Sequence, residues 1–394
     1  MDPQLALQAF EELGTLVMLG MPVGTEFGID MNTWNVGEKF KGVKMIPPGL
    51  HFIYYSAVSR QGETAPRTGF FHYFNQRELI VRHYDPAAED LLNTDPDSEE
   101  VERIRSNIRD FDRFLGPYPM DSWRKWISLT QYISLEDMKR MIPLSGKISS
   151  VPELMTQSQW KSSEPANKNE TPPLNPEEEG TQSSSSKVET SGQTQEDRAT
   201  ASFKSYKSCI PDLKPMPGTE IRFSNFPSRP YPDGATPSEI TRCSLDSSYS
   251  IGKIVENIGR PEGLLGELQF AFICFLVGQV WEGWEHWRRL LSALCSAEAF
   301  ILENHEIYLK IISVIHFQMQ EVPEDFFVDI VENNNFLAEA LKMFFANISD
   351  NTSSLPPAIV TRAQKFKDHL TSKFEWSFTM EEDDDEDAPV IVDL

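Results

Sequence analysis

The chain has little of what catalytic and nucleic-acid-binding proteins usually display. Its 394 residues include four cysteines, Cys209, Cys243, Cys274 and Cys295. They form no Cys-x-x-Cys pair and stand near no histidine at zinc-ligand spacing, so the usual structural zinc sites are excluded. Bases number 36 against 60 acids, for a formal net charge of -24. Holding phosphates requires Lys and Arg gathered on one face, so strong direct nucleic-acid binding is not expected. Long apolar runs are lacking too. The run from Leu268 to Trp281 (LQFAFICFLVGQVW) is 14 residues long and interrupted by Gln269 and Gln279. A membrane-spanning helix needs roughly 20 apolar residues, so this run reads as a buried core helix. The opening Met1-Asp2-Pro3-Gln4 has neither a basic nor an apolar signal region. The expectation is a protein of cytoplasm and nucleus with reduced thiols.

Catalytic signatures are also missing. The chain contains no Gly-x-Ser-x-Gly elbow, no phosphate loop of the Gly-x-x-x-x-Gly-Lys type and no Gly-x-Gly-x-x-Gly fingerprint. Its seven histidines are scattered and form no His-Glu-x-x-His pattern. Asp85, Glu89 and Asp90 crowd together, as do Glu324 and Asp325. Paired carboxylates run acid–base chemistry only where burial separates their pKa values, and beside Pro and Ser they are caps and turns. No enzymatic activity, cofactor, metal or small-molecule substrate is expected.

What is present changes character along the chain. Residues 1–145 read as a β-rich, sandwich-like domain with appended helices, most simply an antiparallel sandwich or small sheet. A short helix at Leu5 to Leu13 precedes strand-like runs at 15–19, 26–30, 50–57, 69–74 and 79–84, rich in β-branched and aromatic residues and separated by Gly and Pro. From Glu99 the period becomes helical. Val101, Ile104, Ile108, Phe111 and Leu115 line one face, closed by Gly116-Pro117. A second short helix carries Trp123, Trp126 and Ile127.

Residues 146–205 are dominated by Ser, Glu, Pro, Gln and Thr, with too few apolar groups to offset the entropy of ordering the backbone, and read as a disordered linker. Residues 206–376 read as an all-α domain after a strand-like piece at 219–223. Thr236-Pro237-Ser238-Glu239 is a capping box with proline at the first helical position. Helices are expected at 237–258, 262–280, 282–296, 298–320, 324–332, 335–347 and 357–375, with Cys274 and Cys295 as core residues. The fold class is therefore α+β. Residues 377–394 form a tail, the acidic block 381–387 followed by Pro389, Val390, Ile391, Val392, Asp393 and Leu394. The block repels itself, whereas its β-branched end suits strand addition to a partner's sheet edge.

Trp281, Trp284 and Trp287 recur every third residue. Trp281 and Trp284 are candidate aromatic anchors for a partner. The plainer alternative is that the stripe packs against neighbouring helices while Glu285, His286, Arg288 and Arg289 face water. Together these features favour a protein that holds another protein. A generic acidic chaperone or adaptor is the alternative, and would lose its partners steeply with salt.

Particular strings then matter. Met21 to Asp30 (MPVGTEFGID), Trp34, Gly37, Phe40, Gly42 to Lys44, MIPPGLHFIYYS, Phe114 to Pro119 and Trp126 to Thr130 resemble the Aar-two splicing factor family. So do Gly218 to Ser224, GATPSEIT, LGELQFAFICFLVG, EHWRRLL and PEDFFVDIV, in the family's order over nearly the whole chain. The resemblance implies a β-rich N-terminal and a helical C-terminal domain. It also implies a non-enzymatic assembly factor of the U-five small nuclear ribonucleoprotein in pre-mRNA splicing. The implied partner is the large spliceosomal scaffold protein, bound at its RNase H-like and MPN-like domains so that the RNA helicase does not bind prematurely. In relatives a C-terminal extension adds a strand there, a role that Pro389, Val390, Ile391, Val392 and Leu394 suit by composition.

Overall fold

Strands rich in Val, Ile, Phe and Tyr bury both faces here. The computed structural model describes residues 3–59, 61–92, 94, 96–152, 154–156, 213–322 and 336–378. Helix α1 (Pro3–Glu12) leads into β1 (Gly14–Leu19), β2 (Glu26–Ile29), β3 (Asn32–Asn35), β4 (Gly42–Ile46), β5 (Gly49–Ser56), β6 (Thr68–Phe74), β7 (Leu79–Asp85) and β8 (Asp90–Leu91). Helices α2 (Ser98–Ser106) and α3 (Ile108–Phe111) follow, then β9 (Leu115–Pro117), α4 (Trp123–Thr130), α5 (Leu135–Met141) and β10 (Ile148–Ser149).

The strands form two five-stranded sheets, ordered β8-β7-β1-β4-β9 and β10-β6-β5-β2-β3. The second is antiparallel throughout. The first is mixed, because β1 pairs in parallel with β7 and β4 with β9, which corrects the antiparallel expectation. Parallel neighbours need a long crossover, and the β2–β6 segment between β1 and β7 supplies it. Leu16, Val43 and Ile80 of one sheet meet Phe27, Ile53, Tyr55 and Phe74 of the other between the sheets. The alternate residues Val17, Val81 and Leu115 pack outward against Ile104 of α2 and its neighbours. Phe52, Tyr54 and Phe71, on the opposite outer face, join the core of the helical region. Period-two alternation thus gives the central strands β1 and β5 two apolar faces, which is why these runs read as continuously hydrophobic. At Gly42, in β4, φ is +136° and a side chain would collide with the Leu16 carbonyl, so only glycine lets β4 close on β1.

One helical expectation in this region is corrected. The face from Val101 to Leu115 is not one helix. Asn107 ends α2 by donating its side-chain amide to the Arg103 carbonyl (2.8 Å), and Leu115 leaves the helical path to pair with Gly42. Strand pairing across about seventy residues overrides the local period, which is why β9 was not foreseen.

The helical region comprises α6 (Pro237–Leu245), α7 (Ser248–Ile258), α8 (Gly263–Leu276), α9 (Trp281–Cys295), α10 (Glu298–Glu303), α11 (His305–Glu321), α12 (Phe336–Asp350) and α13 (Pro357–Phe374). The capping box at Thr236 and Glu239 is formed in both directions. Two expected helices are each split. Asp246 caps the start of α7 by accepting from the Ser248 backbone (2.9 Å), and Asn304 separates α10 from α11. Ile221 to Phe223 is not a strand. Arg222 instead donates to the Met141, Ile142 and Lys139 carbonyls, closing the C-terminus of α5. The helix expected at 324–332 and most of the linker lie outside the described residues.

The chain divides into residues 1–151 with 221–394, and residues 152–220. The latter unit contains an antiparallel pair, β11 (Leu154–Thr156) with β12 (Leu213–Pro215). The α+β class and the order of its β-rich and all-helical regions are as read from the sequence. Among the described residues no helix is long and apolar enough to cross a membrane.

Candidate functional site

Helix α8 is apolar nearly all round because it is enclosed on every side. One flank meets α9 and α11, and the other meets α4, α5 and the outer face of the second sheet. Phe270 packs against Phe71 of β6, ring centroids 4.6 Å apart and the planes tilted by 33°. Its two polar residues inside that core face the N-terminal region. Gln269 accepts from the Tyr132 amide (2.9 Å) and donates to the Ser128 carbonyl (3.1 Å), satisfying the end of α4. Glu267, with no exposed surface, accepts from Arg140 of α5 (2.8 Å), from the Ser224 hydroxyl (2.7 Å) and from the Ser224 amide (2.7 Å). His286 Nε2 of α9 approaches Glu267 Oε1, which also accepts from the Ser224 amide, at 2.8 Å but not along a good hydrogen-bond line.

Burial pushes the Glu267 carboxyl up, but His286, the Arg140 guanidinium and the Ser224 hydroxyl together outweigh it and hold its pKa at about 2. It is therefore a fixed anion. Asp137, also buried, accepts from Arg260 and from the Ser134 hydroxyl (2.6 Å) beside it. Gly266 permits this closeness, since a side chain there would lie 2.8 Å from the Tyr132 carbonyl oxygen. Arg67 of the β region donates to the Val277 carbonyl at the end of α8 (2.7 Å) and to Glu26 (2.6 Å). The expectation that His286 faces water is corrected. It is nearly enclosed, and Phe223 stacks flat on its ring at 4.2 Å.

A second buried polar group lies in the β region. Asp30 Oδ2 accepts from Tyr118 (2.6 Å) and contacts His51 Nδ1 (2.7 Å), while Oδ1 accepts from the Phe52 amide (2.9 Å). His51 Nε2 reaches the Pro47 carbonyl (2.8 Å), and the ring stacks on Trp123. Burial and then the Asp30 charge push the Tyr118 hydroxyl up, so it stays a donor. These groups are sealed and mutually paired, which suits holding backbone in place rather than exchanging protons with a substrate. Among the described residues no group of three or more His, Cys, Asp or Glu could hold a metal.

The tryptophan stripe divides. Trp284 is 5% exposed and packs against Phe275, Trp287 and Phe336, so in this fold it is a core residue rather than a partner anchor. Trp287 donates to Gln318 (3.0 Å). Trp281, at the first turn of α9, is 66% exposed. Three-residue spacing rotates successive side chains through 300°, so a three-residue stripe cannot keep every ring on one face. Cys274 and Cys295 are buried and free, as expected. Pro389, Val390, Ile391, Val392 and Leu394 lie outside the described residues. The described chain ends at Phe378, which is buried against Phe345 (5.0 Å). The junction of Glu267, Arg140 and Ser224 had no local signature, since its members are 43 or more residues apart. The only hint was polar Glu267 inside an apolar run.

Comparison with known proteins places this architecture. Residues 12–143 match the AAR2 N-terminal domain, and residues 223–379 match the AAR2 C-terminal repeat region. The chain is 42% identical over 398 residues to the protein AAR2 homolog of Mus musculus, covering all of this chain and 97% of that one. It belongs to the AAR2 family. The Homo sapiens homolog is 41% identical over 402 residues, with 100% and 97% coverage. The Caenorhabditis elegans homolog is 32% identical over 381 residues, with 96% and 98% coverage. Membership in the AAR2 family supports a splicing-related role, and every element of the Glu267 junction except Ile221 and Arg222 falls within a matched region.

Proposed function

We propose that the protein is a non-enzymatic assembly factor of the U-five small nuclear ribonucleoprotein, acting in nucleus and cytoplasm. It binds the RNase H-like and MPN-like domains of the large spliceosomal scaffold protein and sterically delays the RNA helicase. The observation that carries this reading is family membership along the whole chain. The architecture supports it: the β and helical regions share one core, forming a body able to dock as a unit. Sixteen residues follow the last described one, ending in Pro389, Val390, Ile391, Val392 and Leu394. As a strand they would place alternate side chains on a partner's sheet while backbone bonds supply affinity. Excluding the helicase then needs only overlap of volume.

The test is a pull-down with the two scaffold domains, comparing the full chain with a truncation ending at Glu386. The proposal expects the full chain to retain both domains and the truncation to lose the MPN-like one. Failure of the full chain to bind either domain contradicts it.

A further inference from the structure

Helices α11 and α13 leave a groove of about 740 Å³ between them. Its walls carry four basic side chains, His316, Arg362, Lys365 and His369, over the apolar rings of Phe317 and Phe366, and among the described residues no acidic one lines it. In a chain of net charge -24 such a concentration of bases is out of character. Arg362 is oriented by a bond to Ser313 of α11 (2.8 Å), and the His316 and His369 rings lie 4.8 Å apart. Burial first, then the nearby His369 and Lys373, holds the His316 pKa below its ordinary value.

The same chain carries an anion of matching size close by. Phe345 touches both Phe366 in the groove (6.0 Å) and Phe378 at the end of the described chain (5.0 Å). The end of the described chain is therefore one aromatic ring from the groove. Two residues intervene before Glu381-Glu382-Asp383-Asp384-Asp385-Glu386-Asp387 begins. Seven extended residues span about 24 Å, and the twelve residues of α13 from Ala358 to His369 rise about 18 Å, so the block is long enough to run along the groove. A segment on so short a tether meets the groove at an effective concentration of order millimolar, ahead of acidic peptides in solution.

We propose that the groove between α11 and α13 is the docking site of the protein's own acidic segment, residues 381–387. The segment lies along Lys365, Arg362 and the two histidines, and the tail's strand-forming end is thereby held against the helical region until something displaces it. This contact does not depend on which partner the tail engages.

Zero-length carbodiimide coupling of the full chain, with peptide mapping of the monomer, tests it. The exposed Lys125 and its partner Glu321, 2.8 Å apart, report that the chemistry worked. The expected product joins Lys365 to an acid between 381 and 387. Its yield should fall at least about threefold between about 0.01 M and about 1 M salt, as the screening length shrinks from about 30 Å to about 3 Å. Arg362→Glu, on an exposed face, should lower that yield at low salt without altering the Lys125–Glu321 product. Absence of the Lys365 product while the control product forms overturns the proposal. So does a product found only between differently isotope-labelled copies, which would make a second copy the occupant.

Discussion

The β region and the helical region bury their polar groups in opposite ways. In the β region, Asp30, His51, Tyr118 and the Phe52 amide satisfy one another within the first 120 residues. In the helical region, Glu267 and Gln269 look outward, and Ser128, Tyr132 and Arg140 complete them. A buried polar group left without its partner costs more than its bond contributes. The contrast therefore teaches a division: the helical region and the N-terminal helices α4 and α5 complete one another's polar groups, whereas the Asp30 group is completed within the β region. The sheet residues Phe52, Tyr54 and Phe71 take apolar cover from the helices, while α4 and α5 take polar partners, Gln269 for Tyr132 and Arg260 for Asp137.

The largest way to break the comparison is apolar. Phe270→Ala removes the ring that meets Phe71 and should cost about 4 kcal/mol, read by urea denaturation, with spectroscopic signals of both regions shifting together. Next is the electrostatic closure. Glu267→Ala leaves Arg140 and Ser224 facing a void and should cost about 3 kcal/mol. The sign of its pH dependence follows from a folded pKa lowered to about 2 against about 4.3 unfolded. The Glu267 contribution is full above about pH 4.3 and is lost as pH falls toward 2. Wild type and variant should therefore converge in stability across that window.

Asp30→Ala sharpens the contrast from the other side. It should cost about 2 kcal/mol and leave the amide-exchange protection of α8 nearly unchanged below global unfolding. Thr236→Ala removes a cap at the edge of the helical region, for about 1 kcal/mol by thermal denaturation. Trp281→Ala, at an exposed position, should stay within about 0.5 kcal/mol of wild type.

These residues also mark how far the sequence could be read. Thr236 was legible because a cap is a local device, its donor and acceptor three residues apart. The strands β1, β2, β5, β6 and β7 were legible because two buried faces make dense apolar runs. Asn32–Asn35 was not, since it is a short polar edge strand paired only with its neighbour β2, and Leu115–Pro117 was not, since it becomes a strand only where distant β4 offers hydrogen bonds. The splits at Asp246 and Asn304 were hidden by apolar periods that continue across them. Trp284 and Trp281 carried the same local pattern and have opposite fates, because helix rotation relative to α12 decides which ring is buried. The Glu267 junction joins residues 43 to 127 positions apart, a relation no window along the chain contains.

The central structural claim is that two chemically unlike regions form one folded body. Calorimetric unfolding of the full chain tests it most directly, by comparing calorimetric and van't Hoff enthalpies for residues outside the 152–220 unit. The account predicts one transition with matching enthalpies, which Glu267→Ala moves to lower temperature as a whole. Two resolved transitions, with the helical region melting while the β region stays folded, would contradict it.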